Sequence, residues 1–202
     1  MQEKGLKRRA EKLLNFQIVS MLTKLHEYKI RQNEVVTIRQ ETKESLAERR
    51  MIQSAEAFSA FSHFATDADR LKKLALDKTN PKTREEQELA GFRDILRVID
   101  ENYAFIPLNS GQIQQLHKGF YRFVGSAVGG QFRTTEKINA LDELCAQYES
   151  AAAEGVDALL LIPLFLSVFL RLSLFFEGNE PMSGLLALLL FFRVGYFVGK
   201  YV

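Results

Sequence analysis

The chain of 202 residues has a single cysteine, four prolines and no tryptophan. With Cys145 alone, no intrachain disulfide can form, and zinc or redox sites made of several cysteines are excluded. A lone thiol suits a reducing compartment, so we expect a cytoplasmic protein. Twelve glycines and four prolines are too few for a collagen-like or low-complexity chain.

Neither sign of charge dominates the sequence. It contains 27 basic and 25 acidic residues, which gives no reason to expect nucleic acid as a partner. The first fifty residues lean basic, with 12 Lys or Arg against 7 Asp or Glu. Most of this excess lies at the start, which lacks the apolar core of a secretion signal. We interpret it as a solvated helix start, with a binding tail as the alternative.

Long apolar runs are also absent, although two shorter ones lie near the C-terminal end. Ala158–Leu170 and Pro181–Phe192 have thirteen and twelve residues without a charge. Roughly twenty apolar residues are needed to cross a bilayer, and Arg171 would lie inside the first span. The pattern favours two buried helices packed antiparallel, and we expect no membrane as a partner. A membrane helical hairpin is the less favoured alternative.

The sequence does show helical periodicity almost throughout. No segment alternates convincingly with a period of two, so we predict an all-α fold. The predicted helices are Leu13–Tyr28, Val35–Phe64, Asp67–Leu76, one that begins after Thr83, one capped by Ser110, Thr135–Ala153, Val156–Phe176 and Met182–Val198. A glycine-rich break, Gly125–Gly130, interrupts the series.

Several short segments of the sequence are each weak signals, but together and in this order they are typical of one protein family. The C-terminal part reads LSLFFEGN at Leu172–Asn179 and continues into a leucine-rich helix. Gln114–His117 and Phe120–Tyr121 precede the glycine-rich turn, which ends in Phe132–Arg133–Thr134. This set resembles the Fic (Fido) family of nucleotidyl transferases, whose signature is H-P-F-x-[D/E]-G-N-G-R-x-x-R. The resemblance implies a Fic-like helical bundle with two central buried apolar helices.

The resemblance also implies a division of the chain. Residues 1–65 correspond to an N-terminal helical extension, and residues 66–202 to the Fic-like core, which we expect to be truncated at its C-terminal end. The extension is the inhibitory-helix region of the family, but Phe58, Ser62 and His63 replace the inhibitory S-x-x-x-E-G motif. Thr134–Thr135 leads directly into the next helix, which leaves little room for the hairpin flap that holds target segments in relatives.

Four signature positions match the family, and the resemblance assigns their roles. The family transfers AMP from ATP to protein hydroxyls, and Glu177 corresponds to its Mg²⁺ ligand. Phe175, Gly178 and Asn179 correspond to the nucleotide-binding turn, whose backbone N–H groups contact phosphate. Mg²⁺ and ATP are therefore the cofactors that the resemblance implies.

The positions that perform the family's chemistry do not match. Ser173 stands where a histidine takes the proton from the target hydroxyl, and serine cannot accept a proton near neutral pH. Glu180 replaces a glycine and places a carboxylate beside the phosphate position. Pro181 and Gly184 replace the two arginines that clamp phosphate. We therefore predict no catalytic residue, and an inactive or very weak relative of the AMP transferases, a pseudoenzyme.

An alternative hypothesis makes the scaffold an interaction module. It would bind an unidentified protein partner, or a second copy of the chain as a homo-oligomer, and would need neither a base nor a phosphate clamp.

The remaining polar candidates are interpreted structurally. We expect His26 on the surface, His63 without a metal, His117 as a packed or capping residue, and Cys145 as a small core side chain.

Overall fold

The computed structural model describes residues 5–34, 40–125 and 127–197. Within these ranges it contains nine helices and no strand, which confirms the predicted all-α fold. They are α1 (Leu6–Leu13), α2 (Phe16–Glu34), α3 (Gln40–Phe61), α4 (Ala68–Ala75), α5 (Arg84–Asn102), α6 (Ser110–Phe120), α7 (Thr135–Ala153), α8 (Ala158–Leu172) and α9 (Asn179–Arg193). An isolated antiparallel bridge joins Phe132 and Phe175.

Helices α8 and α9 form the centre of the core, as predicted. Phe165 and Phe169 of α8 and Leu186 and Leu190 of α9 are fully buried. Helix α8 also packs against α1 and α7, and α9 packs against α5. Burial of each such side chain contributes about 1.5–3 kcal/mol. No helix among the described residues is long and apolar enough to cross a bilayer.

Helix α8 is shorter than the predicted Val156–Phe176. The Asp157 side chain caps its start by accepting a hydrogen bond from the N–H of Leu159 at 2.8 Å. The helix ends at Leu172 because Ser173 adopts a left-handed conformation with φ of 46°. The predicted bounds are therefore wrong at both ends, and the residues after Leu172 form a turn.

Helix α9 begins earlier than the predicted Met182. Gly178 is its N-cap, with a left-handed φ of 72°, so Asn179 is the first helical residue. The helix ends at Arg193, and the predicted end, Val198, lies outside the described residues. The turn between the two central helices is thus set by two residues with positive φ.

The N-cap residues of α5 and α6 were also predicted from the sequence, and one of the two predictions is correct. Thr83 caps α5, as predicted, and its hydroxyl accepts from the N–H of Glu86 at 3.3 Å. Helix α6 is capped by Asn109 and not by Ser110, because the side-chain oxygen Oδ1 of Asn109 accepts from the N–H of Gln112 at 2.8 Å. Asparagine is at least as good a cap as serine, and the two are adjacent here.

Helices α1 and α3 pack against different parts of the core, α1 on α7 and α8 and α3 on α4 and α5. Leu6 and Ala10 of α1 are buried against α7 and α8. Helix α3 corresponds to the predicted Val35–Phe64, although residues 35–39 lie outside the described part. The division of the chain near residue 65 stays a prediction.

Replacement of a central phenylalanine tests this core. Phe169→Ala should lower the free energy of unfolding by about 3–5 kcal/mol, because Phe169 is fully buried. Phe105→Ala is the matched control: Phe105 is 86% exposed, and its change should stay within about 0.5 kcal/mol. Urea unfolding followed by circular dichroism measures both, and equal losses would contradict the assigned core.

Candidate functional site

The predicted site lies where the turn between α8 and α9 meets the segment after the glycine-rich turn. The N–H of Arg133 donates to the carbonyl oxygen of Leu174 at 2.9 Å. The Arg133 guanidinium donates to the carbonyl oxygen of Phe175 at 2.8 Å. Two loops that are far apart in sequence are thereby joined, and the signature residues lie on one of them.

His117 connects the same two loops from inside the protein. Its Nδ1 accepts from the N–H of Gly130 at 2.8 Å, so the ring proton lies on Nε2. That Nε2 then donates to the carbonyl oxygen of Glu177 at 3.0 Å. Burial lowers the pKa of His117 to about 4, which keeps the imidazole neutral. The interpretation of His117 as a packed residue is confirmed.

The aromatic ring of Phe175 is part of the core. It stacks on His117 with 3.8 Å between ring centroids and on Phe132 with 4.7 Å, and it is fully buried. The predicted role of Phe175 in nucleotide binding stays a prediction. Phe175 fixes the turn that precedes α9.

Asn179 and Gly178 shape the turn itself. The Asn179 side chain accepts from the N–H of Phe175 at 3.0 Å and donates to the carbonyl oxygen of the same residue at 2.8 Å. Gly178 has φ of 72°, and a Cβ there would lie 2.7 Å from the ring of Tyr121. Both predicted phosphate-turn residues thus lie at the start of α9, where each also has a structural reason for its identity.

Glu177, the predicted metal ligand, lies in an ion pair. Its carboxylate accepts a hydrogen bond from the guanidinium of Arg84, and Arg84 also pairs with Glu88 at 3.1 Å. In the described part of the chain, no group of three or more His, Cys, Asp or Glu side chains could hold a metal ion. In nucleotide sites Mg²⁺ is usually held by one or two carboxylates together with substrate phosphates, so the role of Glu177 as a metal ligand stays a prediction.

No general base lies at the position of the family histidine. Ser173 closes α8, and its carbonyl oxygen accepts from the ammonium of Lys137 at 2.9 Å. Both ring nitrogens of His117 are already hydrogen-bonded, and burial raises the pKa of Tyr121 well above its usual range. Neither of these neighbours can take a proton from a hydroxyl near neutral pH.

A cleft of about 370 Å³ opens at the N-terminus of α9. Ser173, Glu177, Glu180 and Pro181 are among its lining residues. Glu180 lies in the first turn of α9, where a carboxylate is stabilised by the free N–H groups and the helix dipole. The protein's own carboxylate thus lies where a phosphate would otherwise be favoured.

An apolar groove of about 410 Å³ lies beside this cleft. Phe58 and Phe61 of α3 line it together with Pro181 and Gly184 of α9. Phe58, which stands at the serine position of the inhibitory motif, therefore lines the same groove as Gly184, the position of the second signature arginine. Ser62, which stands at the position of the inhibitory glutamate, is not among the lining residues.

The structure adds Arg84, Arg133 and Lys137 to the residues predicted from sequence. Arg84 is the first residue of α5, where a positive charge opposes the helix dipole. That unfavourable position is a signal that an acidic partner lies nearby. For Arg133 and Lys137 no such signal exists, because their acceptors are backbone carbonyls of a distant turn.

Two residues outside the site lie where the sequence predicts. His26 is on the surface, as expected, and contacts Asp157 and Tyr196 at 2.7 and 2.8 Å. Cys145 is buried in the core, as predicted, and burial raises its pKa to about 12.

The pKa of His117 predicts a pH dependence of stability. Because its folded pKa of about 4 lies below the ordinary 6.5, the neutral ring stabilises the fold fully above pH 6.5. This contribution, about 3 kcal/mol, is lost as the pH falls towards 4. His117→Gln keeps a donor and an acceptor but does not titrate. The free energy of unfolding of His117→Gln should therefore fall less than that of the wild type over this pH range. If the two proteins gave parallel curves of unfolding free energy against pH, the prediction would be contradicted.

Two glycines of the signature segment should respond oppositely to alanine. Gly178→Ala should destabilise the fold by about 2 kcal/mol or more, because φ is positive and the new Cβ meets Tyr121. Gly184→Ala should stabilise it by about 0.5–1 kcal/mol, because Gly184 is helical with open space at its Cβ position. Thermal unfolding of both variants measures the difference, and a stabilised Gly178→Ala would disprove the assigned turn.

A comparison with solved structures identifies the fold. The crystal structure of a Fic domain containing signaling protein from Bacteroides thetaiotaomicron VPI-5482 matches with a TM-score of 0.70. The match covers 83% of this chain and 74% of that chain, at 15% sequence identity. No protein-family model and no curated protein matches the sequence. At this identity the similarity establishes the fold alone, and the Fic-like fold predicted from the sequence is confirmed.

Proposed function

We propose that this chain is a Fic-fold protein that does not transfer AMP and that acts by binding a protein partner. The observation that carries the proposal is the ion pair between Arg84 and Glu177. The one matching carboxylate of the signature is occupied by a cation of the protein itself, and Ser173 stands where a base is needed.

Charge at the N-terminus of α9 supports the same proposal. A phosphate group about 4 Å from the Glu180 carboxylate would be repelled by about 4 kcal/mol near a protein surface. Pro181 has no N–H to donate, so it removes one of the first-turn donors that an anion would use. The residues present therefore do not fit the Mg²⁺–ATP pair that the resemblance implies, and we derive no reaction step through it.

The packing of the turn explains how the fold persists without this chemistry. Asn179, Gly178 and Phe175 each have a role in the turn that needs no bound nucleotide. Their match to the signature is consistent with a scaffold that keeps its shape while the reacting groups are replaced.

The proposal predicts that one substitution will not create activity. Incubation of the wild type or of Ser173→His with labelled ATP and Mg²⁺ should give no labelled protein, because the new imidazole would still lack a clamped nucleotide. ATP binding by calorimetry should become measurable only when Glu180→Gly, Pro181→Arg and Gly184→Arg are combined, a gain of about 10²-fold. Open space at Gly184 makes the last change sterically acceptable.

An active Fic transferase assayed in parallel is the positive control, and circular dichroism checks that each variant is folded. Labelling by the wild type that disappears in Glu177→Ala would contradict the proposal, because Glu177 would then act as a ligand and not as a partner of Arg84.

A further inference from the structure

The apolar groove beside the cleft is built by three helices. Buried side chains form its floor, one from each helix: Phe58 of α3, Leu96 of α5 and Leu185 of α9. Its rim is open to solvent, because Phe61 of α3 is 58% exposed. The groove is therefore a concave apolar surface that a ligand can reach from outside the protein.

The size of the groove suits a small organic molecule. Its volume of about 410 Å³ lies in the range of sites that bind such ligands, which combine an apolar lining with a few polar groups. Along α9 the lining runs from Glu180 to Leu188, which is about 12 Å of helix. A ligand of this length could contact the whole groove.

The floor of the groove favours a flat apolar body. The ring of Phe58 stacks on that of Phe92 with 4.8 Å between ring centroids, and both side chains line the groove. An aromatic ligand can stack on these rings or meet them edge to face, which adds to the free energy gained by burial. A polar body would lose its hydration here without gaining hydrogen bonds in return.

A carboxylate supplies the charge at one end of the groove. Glu180 lines both the groove and the adjoining cleft, and among the described residues that line the groove it alone carries a charge. Within the described part of the chain, its carboxylate forms no ion pair. Arg84, which pairs with the neighbouring Glu177, is shared with Glu88. The Glu180 carboxylate is thus left to attract a positive charge from outside the protein.

We propose that this groove binds a small organic cation, an ammonium with an aromatic or apolar body. The body lies against Phe58 and Phe92, and the ammonium lies beside the Glu180 carboxylate. This inference goes beyond the proposed function, since it depends neither on a protein partner nor on the absence of AMP transfer. A failure of one therefore leaves the other standing.

The test is a fluorescence titration of the full chain with two dansyl probes that differ only in the charge of their tails. One probe carries an ammonium on a five-carbon chain (dansylcadaverine), and the other carries a carboxylate on the same chain. Dansyl emission rises in apolar surroundings, so each titration gives a Kd. We expect saturable binding of the ammonium probe and roughly tenfold weaker binding of the carboxylate probe. The net charge of +2 on the chain would favour the opposite order.

Glu180→Gln isolates the charge, and Glu136→Gln is its matched control. Both glutamates are exposed and lie in the first turn of a helix, but Glu136 does not line the groove. Glu180→Gln should weaken binding of the ammonium probe about fivefold, as for an exposed ion pair, and bring the two probes within about twofold of each other. Glu136→Gln should leave both Kd values within about twofold of the wild type.

Gly184→Leu locates the probe, and Gly184→Ala is its control. Gly184 lines the groove, and nothing lies within 4 Å of a Cβ built there, so a leucine side chain has room to enter it. Gly184→Leu should weaken binding of both probes roughly tenfold or more, because it occupies apolar surface that the dansyl group would cover. Gly184→Ala should change either Kd less than about threefold. Circular dichroism establishes that all variants are folded.

Three results would overturn the proposal. The first is no saturable binding of the ammonium probe, or binding that Gly184→Leu leaves unchanged, which would place the probe elsewhere. The second is equal affinity for the two probes, or a preference for ammonium that Glu180→Gln does not reduce. The third is a dimer in sedimentation velocity that Gly184→Leu dissociates, which would make a second copy of the chain the occupant.

Discussion

A single neutral imidazole determines the shape of the candidate site. His117 accepts a hydrogen bond from the N–H of Gly130 and donates one to the carbonyl oxygen of Glu177, so it needs one proton and not two. The stacked ring of Phe175 covers its face and excludes water. Because His117 and Arg133 together join two loops that are distant in sequence, the turn that begins α9 has a defined shape without a ligand.

The same turn shows how a Fic-like fold is stabilised with other residues at several of the family's signature positions. Two residues that differ from the signature are well accommodated at the start of α9. The carboxylate of Glu180 is stabilised by the helix dipole, and Pro181 lies in the first turn, where backbone N–H groups have no helical partner. Glu177 pairs with Arg84. The residues that differ from the signature are therefore compatible with the fold.

Much of the fold follows from sequence, and less of the site does. Apolar runs in α8 and α9 predict buried central helices, and Thr83 predicts the start of α5, because these signals are local. The predicted end of α8 is wrong, since the left-handed conformation of Ser173 is set by the turn after it. The partners of Glu177 and His117 could not be predicted, because each contact depends on how distant elements pack.

The protonation state of His117 is the most direct test of this account. Long-range ¹H–¹⁵N correlation spectra of the side chain at about pH 6 should show a protonated Nε2 and an unprotonated Nδ1, as expected for a buried neutral ring. The same measurement on the exposed His63 provides a reference ring in the same sample. An imidazolium at this pH, or the tautomer with the proton on Nδ1, would contradict the account, because the contact to Gly130 would then be impossible.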